Sequence, residues 1–297
     1  MTLRIFKQIF LASLTMVCMS MTYAGAPSDP SSGKLVLFPG QLPSTNYGGT
    51  GNISAFTGWN IPGKHFKSGD GWWVLACKDI CQLSPATMSV KQSKHPDYDG
   101  PPIPSQLMKW SPMPFQIDDE KRYHIERTRE PSDPFLLAML KPIGSLADNL
   151  HFSPGPVTTW WHQGMEKGPK SNKDFSDTTI EIGQGKQAHL LQRLVTLPKK
   201  PDESEAQKQL IIELQIDGTR QSLGEFVFHM GITERINPRS FLMWIGDIDG
   251  DGKVDLLINP TAYFWNTSMY LSSLAKNGQL VGNAGNFYFS PPDSPGC

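Results

Sequence analysis

The chain has 297 residues, a formal charge of −1 and 38% apolar residues. That length can bury a substantial core in one large or two small domains, and the near-zero charge offers no basic field to hold nucleic acid or anionic lipid. Glycine (27) and proline (25) are plentiful and eight tryptophans are present. This balance disfavours long helices and predicts a mostly β fold of antiparallel hairpins, a sandwich or open barrel with few short helices.

Residues 1–24 read as a secretory signal peptide. Arg4 and Lys7 precede an apolar run over 9–21, and Thr22 and Ala24 supply the small residues wanted before a cleavage point. Ala26 marks a second possible cleavage point. The apolar run is shorter than the roughly 20 residues that span a bilayer, which separates it from a membrane anchor. Bulky Val17 before Cys18 argues against a lipidated cysteine. No later segment is apolar enough to span a membrane, so the mature chain of about 270 residues is expected to be secreted or periplasmic.

Residues 25–150 form a first β-rich region. A Pro/Ser/Gly lead-in over 26–34 precedes a short strand at 35–38, and 39–63 reads as mostly loop. Strand-like runs at 72–75 and 86–90 predict a hairpin whose turn carries Cys77 and Cys81. In an oxidising compartment those two cysteines are expected to pair as a disulfide, leaving Cys297 over. The alternative joins Cys297 to one of them. A zinc site lacks a histidine at ligand spacing. Five prolines punctuate 92–113, which therefore reads as an irregular connection. A short strand at 122–125 and a buried strand at 135–140 follow.

Residues 151–297 form a second region, with the boundary near 145–155. A β-branched and aromatic run at 157–161 is followed by strand pairs at 178–182 with 188–197, 210–216 with 221–228, and 241–248 with 254–259. Gly183–Lys186 and Asp217–Gly218 are hairpin turns. Three successive hairpins predict an antiparallel meander. Final strands are expected at 269–271 and 287–289, with a helical turn at 272–276, and 199–208 is an exposed excursion.

The third hairpin encloses the most informative stretch. Asp247, Asp249, Asp251 and Asp255 occupy positions one, three, five and nine of a loop containing Gly250 and Gly252, with Lys253 at position seven. Four like charges so close are unfavourable unless a cation neutralises them, and this is the ligand order of a calcium loop, with the Lys253 carbonyl facing the ion. Gly252 permits the positive φ that wraps the chain around a cation. An EF-hand is excluded on two counts: position twelve is Ile258 rather than Glu, and the flanks read as strands. Residues 246–257 resemble the FG-GAP/VCBS motif of integrin-type β-propellers and of many bacterial secreted proteins. The resemblance implies that Asp247, Asp249, Asp251 and Asp255 bind calcium between two strands. A propeller needs one copy per blade, and this chain has one copy, so a lone structural loop in another β fold is expected.

Signatures of catalysis are absent. No Gly-x-Ser-x-Gly elbow, Ser-x-x-Lys set, His-Glu-x-x-His or phosphate-cradling glycine loop occurs. The histidines are scattered. Trp160-Trp161-His162 could line a sugar- or peptide-binding face, although aromatics on a strand more often fill a core. His95, Asp97 and Asp99, and likewise Asp118, Asp119 and Glu120, read as solvated loop groups. The expected function is a calcium-stabilised, non-enzymatic binding or envelope module with a protein or glycan ligand. The alternatives are a calcium-dependent hydrolase, directed for example at glycans, and a subunit of an extracytoplasmic assembly joined through Cys297 or exposed aromatics.

Overall fold

The computed structural model describes residues 35–40, 59–62, 66–95, 101, 103–115, 134–165, 167–199, 206, 208–228, 237–259 and 265–289. The leader at 1–24, the strand expected at 122–125, the carboxylates Asp97, Asp99 and Asp118 to Glu120, and Cys297 lie outside them. The protein is mostly β, with antiparallel sheets, one of them curled into half a barrel.

The first sheet contains β1 (Leu35–Pro39), β2 (Trp59–Pro62), β3 (Gly69–Cys77), β4 (Cys81–His95), β5 (Ile103–Ser111), β6 (Phe135–Pro142) and the two-residue β7 (Gly155–Pro156). Its order is β1-β6-β3-β4-β5-β2, with β7 alongside β4. A helical turn, α1 (Ser145–Asn149), lies between β6 and β7. The hairpin expected around the cysteines is present, but it is longer than the sequence suggests. β4 continues to His95, and the proline-punctuated stretch expected to be irregular contains β5, paired with β4 from Thr87↔Ser111 to His95↔Ile103. Proline placement explains why. Pro104 lies just before the segment 105–108 of β5 that pairs with β2, so its missing N–H disrupts no second ladder. Pro85 sits on β4 between the residues paired with β5, which start at Thr87, and those paired with β7, which end at Leu83.

The rest of the chain builds two more sheets. In order come β8 (Thr158–His162), β9 (Lys170–Ser171), β10 (Asp177–Glu181), β11 (Gln187–Thr196), β12 (Lys208–Ile216), β13 (Thr219–Phe228), the short helix α2 (Pro238–Phe241), β14 (Leu242–Asp247), β15 (Asp255–Ile258), β16 (Trp265–Leu271) and β17 (Gly282–Phe289). The first two predicted hairpins form one meander, β13-β12-β11-β10-β9. The third does not join it. β14 and β15 belong to a separate sheet ordered β17-β16-β15-β14-β8. The expected helical turn after 271 is a single 3-10 turn, Ser272–Leu274.

Burial patterns explain the split. The meander strands alternate: Ala188, Leu190, Leu210, Ile212 and Leu214 are buried while their neighbours are more open. Such strands have one face to cover. β14 and β15 are buried at every position. Leu242, Ile245, Leu256, Ile258 and Tyr270 pack toward the meander, whereas Met243, Trp244, Leu257, Met269 and Leu271 pack with the first sheet. The sheet of β8 and β14–β17 is therefore the middle of three layers. The chain passes from the first sheet to the middle one at Val157, close to the boundary drawn from sequence, yet one core cluster spans both.

Phe38 is the hub of that shared core. It is 2% exposed, and its ring centroid lies 5.5 Å from Phe66, 5.7 Å from Trp72, 5.4 Å from Trp110 and 5.3 Å from Phe287. Phe287 comes from the middle sheet, so these aromatic contacts join two layers. Replacing Phe38 by Ala is expected to destabilise the protein by about 3–5 kcal/mol, read as a lower denaturation midpoint in urea; a loss under about 1 kcal/mol would show that the cluster is not a point of attachment.

Candidate metal centre

Asp247 ends β14 and Asp255 begins β15, so the acidic loop caps one end of the middle sheet. Gly246, just before it, is required by close approach. A Cβ there would fall 2.2 Å from the Thr158 carbonyl oxygen on β8 and 2.2 Å from the Trp244 ring. Gly250 and Gly252 adopt φ of 77° and 78°, a left-handed conformation that costs other residues conformational energy. The positive φ expected at Gly252 is thus present, and Gly250 shares it.

The aspartates organise the loop backbone. Asp247 Oδ1 accepts hydrogen bonds from the N–H groups of Gly250 at 2.8 Å and Asp251 at 3.1 Å, and Oδ2 accepts one from Gly252 at 2.8 Å. Asp255 Oδ2 accepts from Ile248 N–H at 2.8 Å, and Oδ1 accepts from Ser272 N–H at 2.7 Å. Asp251 Oδ1 accepts from Lys253 N–H at 2.9 Å. A carboxylate offers about four lone-pair sites, so each of these groups keeps acceptor capacity after its backbone bonds are made.

Two serines from the 3-10 turn complete the site. The register Leu256↔Tyr270 brings the end of β16 beside the start of β15. Ser272 Oγ lies 2.9 Å from both Asp251 oxygens and 3.1 Å from Asp255 Oδ1. One hydroxyl proton cannot serve all three acceptors at once, so two carboxylates share a single neutral donor. Ser273 Oγ donates to Asp249 Oδ2. Neither serine is marked in the sequence, because they reach the loop through strand pairing rather than through local spacing.

One oxygen from each of Asp247, Asp249 and Asp255 lies within 4.8 Å of the others. Asp247 is 9% and Asp255 0% exposed. Asp249 Oδ1 is shut off from solvent and accepts no hydrogen bond. Burial, and then the Asp249 charge, push the Asp255 carboxyl well above the usual carboxylate range, against the opposing hydrogen bonds from Ser272 and Ile248. Burial also raises Asp249, with further contributions from the Asp251 and Asp247 charges, while hydrogen bonds from Ser273 and the Asp251 backbone oppose. The group gathers negative charge faster than its N–H and O–H donors offset it.

The structure thus brings Asp247, Asp249 and Asp255 into one cluster and places Asp251 next to it through Ser272. Lys253 sends its side chain outward, 71% exposed, with Nζ 3.8 Å from Asp251 Oδ2. The three clustered carboxylate oxygens lie close enough together for one cation with oxygen ligands to touch them all. The other expected pair, Cys77 and Cys81, is joined as a disulfide at the tip of the β3–β4 hairpin. The Trp160-Trp161-His162 segment is core: Trp161 and His162 are 4% exposed each and Trp160 packs against the inner cluster.

No known protein family matches the chain, and no curated protein or solved structure is detectably similar to it.

The raised carboxyls set a pH dependence in metal-free solution. The folded-state value of Asp255 exceeds that of the unfolded chain, so ionising it opposes folding. Its contribution should therefore grow more favourable as pH falls from neutrality through the raised value toward the ordinary 3.8. Melting temperatures taken with chelator across that window should rise on acidification, and the rise should be smaller in Asp255→Asn. An identical profile in both proteins would assign the pH response to other groups.

Proposed function

We propose that residues 247–255 bind one Ca²⁺, and that the chain is an exported β protein whose fold this ion stabilises, with a binding or envelope role rather than a catalytic one. The observation that carries the reading is Asp249 Oδ1, a buried carboxylate oxygen with no hydrogen-bond partner, beside the carboxylates of Asp247 and Asp255. A carboxylate oxygen shut off from solvent with no donor of its own is costly, and a cation at this point removes the cost. The ligands would be the side chains of Asp247, Asp249, Asp251 and Asp255, the Lys253 carbonyl and water. Ca²⁺ suits an irregular set of this size better than Mg²⁺, which demands near-octahedral geometry and retains its waters. The loop is then a single FG-GAP/VCBS-like clamp, serving one hairpin rather than a ring of blades.

Export rests on the 1–24 leader, and the Cys77–Cys81 disulfide agrees with an oxidising compartment. Among the described residues no helix is long and apolar enough to cross a membrane. Against a hydrolase, Trp161 and His162 are buried, so that segment gives no open face on which a glycan could meet the acidic loop. The ligand of the module is a protein or glycan, bound elsewhere on the surface.

Calcium at about 10 mM, with a dissociation constant of about 10⁻⁴–10⁻³ M, should add about 1.4–2.7 kcal/mol, which corresponds to a melting temperature higher by about 3–10 °C. Asp249→Ala and Asp251→Ala should abolish the rise. Superimposable melting curves in calcium and in chelator would sink the proposal.

A further inference from the structure

Cys77, Cys81 and His162 form a second cluster of metal-ligating groups, separate from the acidic loop. Two sulfurs and one imidazole nitrogen lie within 4.8 Å of one another, on residues 0%, 1% and 4% exposed. The sequence places no histidine near these cysteines. Topology brings one in: β7 pairs with β4 at Gln82 and Leu83, and Val157 N–H donates to the Cys81 carbonyl at 2.9 Å. β8 follows at once and carries His162 to the hairpin tip.

In the disulfide the two sulfurs are bonded to each other. A dithiol reductant supplies two electrons and two protons, the S–S bond breaks, two thiols form, and the reductant becomes a disulfide. We propose that the reduced Cys77 and Cys81, together with His162, hold one thiophilic divalent cation of the Zn²⁺ kind. This corner of the fold is then closed either by the S–S bond or by the metal.

Charge and geometry support the assignment. Both thiols release their protons on coordination, and two thiolates with a divalent ion sum to zero, as a buried site requires. Zn–S bonds of about 2.3 Å and Zn–N bonds of about 2.0–2.1 Å place tetrahedral ligand atoms about 3.5–3.8 Å apart, so the two sulfurs move apart once the S–S bond is broken, while the imidazole nitrogen already lies within 4.8 Å of both. Gly164 N–H donates to His162 Nδ1 at 3.1 Å. In the neutral ring Nδ1 therefore carries the lone pair and Nε2 the proton. An ion at Nδ1 replaces the Gly164 hydrogen bond and leaves Nε2–H as the outer donor that metal-bound imidazoles use. The two loops that flank the cluster are at the surface. Ile80, between the cysteines, is 58% exposed, and Met165, whose N–H donates to the His162 carbonyl at 3.0 Å, is 42% exposed.

The test uses the full chain with Cys18→Ser and Cys297→Ser, so that only these two cysteines respond. After reduction by a phosphine and removal of the reductant, Co²⁺ is titrated as a spectroscopic stand-in for Zn²⁺. We expect one Co²⁺ per chain, a thiolate-to-cobalt charge-transfer band, tetrahedral visible bands, and displacement of Co²⁺ by Zn²⁺. The oxidised protein should give none of these. His162→Gln should weaken binding at least tenfold, whereas Asp249→Ala should leave it unchanged. Because His162→Gln could misfold, X-ray absorption on the Zn²⁺ form of the otherwise unaltered chain provides a second measure, with two sulfurs and an imidazole expected in the shell. Absence of the charge-transfer band, undiminished affinity in a folded His162→Gln, or a shell without imidazole would each overturn the proposal.

Discussion

The protein depends on a middle sheet that is covered on both sides. Strands β14 and β15 expose no residue to solvent, so they contribute apolar area to two cores at once. The same arrangement leaves polar groups nowhere to go except the ends of the strands. Asp247 and Asp255 stand at those ends, directly attached to the most buried ladder in the molecule. Their backbone-ordering hydrogen bonds and their electrostatic cost come from one placement. Moving Asp255 one position along the strand would put a carboxylate at the fully buried site of Leu256.

The acidic loop is tied to the outer meander as well. Gln221 on β13 accepts from Leu280 N–H at 2.6 Å and Val281 N–H at 3.0 Å through Oε1, and donates to the Val281 carbonyl at 2.7 Å through Nε2. Those residues follow the turn that carries Ser272 and Ser273. Tyr270, one turn earlier in the same hairpin, donates its hydroxyl to the Leu223 carbonyl. The serines that face the carboxylates are therefore held by the meander on one side and by β15 on the other.

The parts legible in the sequence were those written locally. The nine-residue acidic loop, the hairpin turns at Asp217–Gly218 and Gly183–Lys186, and the Cys77–Cys81 pairing are all set by neighbours a few residues apart. What escaped was set by pairing between distant segments. Ser272 and Ser273 reach the loop only through the register of β15 with β16, and His162 reaches the disulfide only through the docking of β7 on β4. The runs 242–245 and 256–258 are apolar at every position, which marks strands buried on both faces. Their place at the end of a series of hairpins suggested instead a continuation of the meander. The stretch 92–113 departs from the expectation for a related reason: a proline breaks a strand only where a second strand needs its N–H, and Pro104 has no such neighbour.

That last point bears on how the protein behaves toward other copies of itself. The outer side of β4 is covered by β5 at one end and by β7 at the other, and Pro85 sits in the interval. A proline has no N–H to offer, so an incoming strand from another molecule finds no donor there, between the segments matched by β5 and β7. The residue that looks like an interruption of the strand guards the gap between β5 and β7 against intermolecular β-pairing.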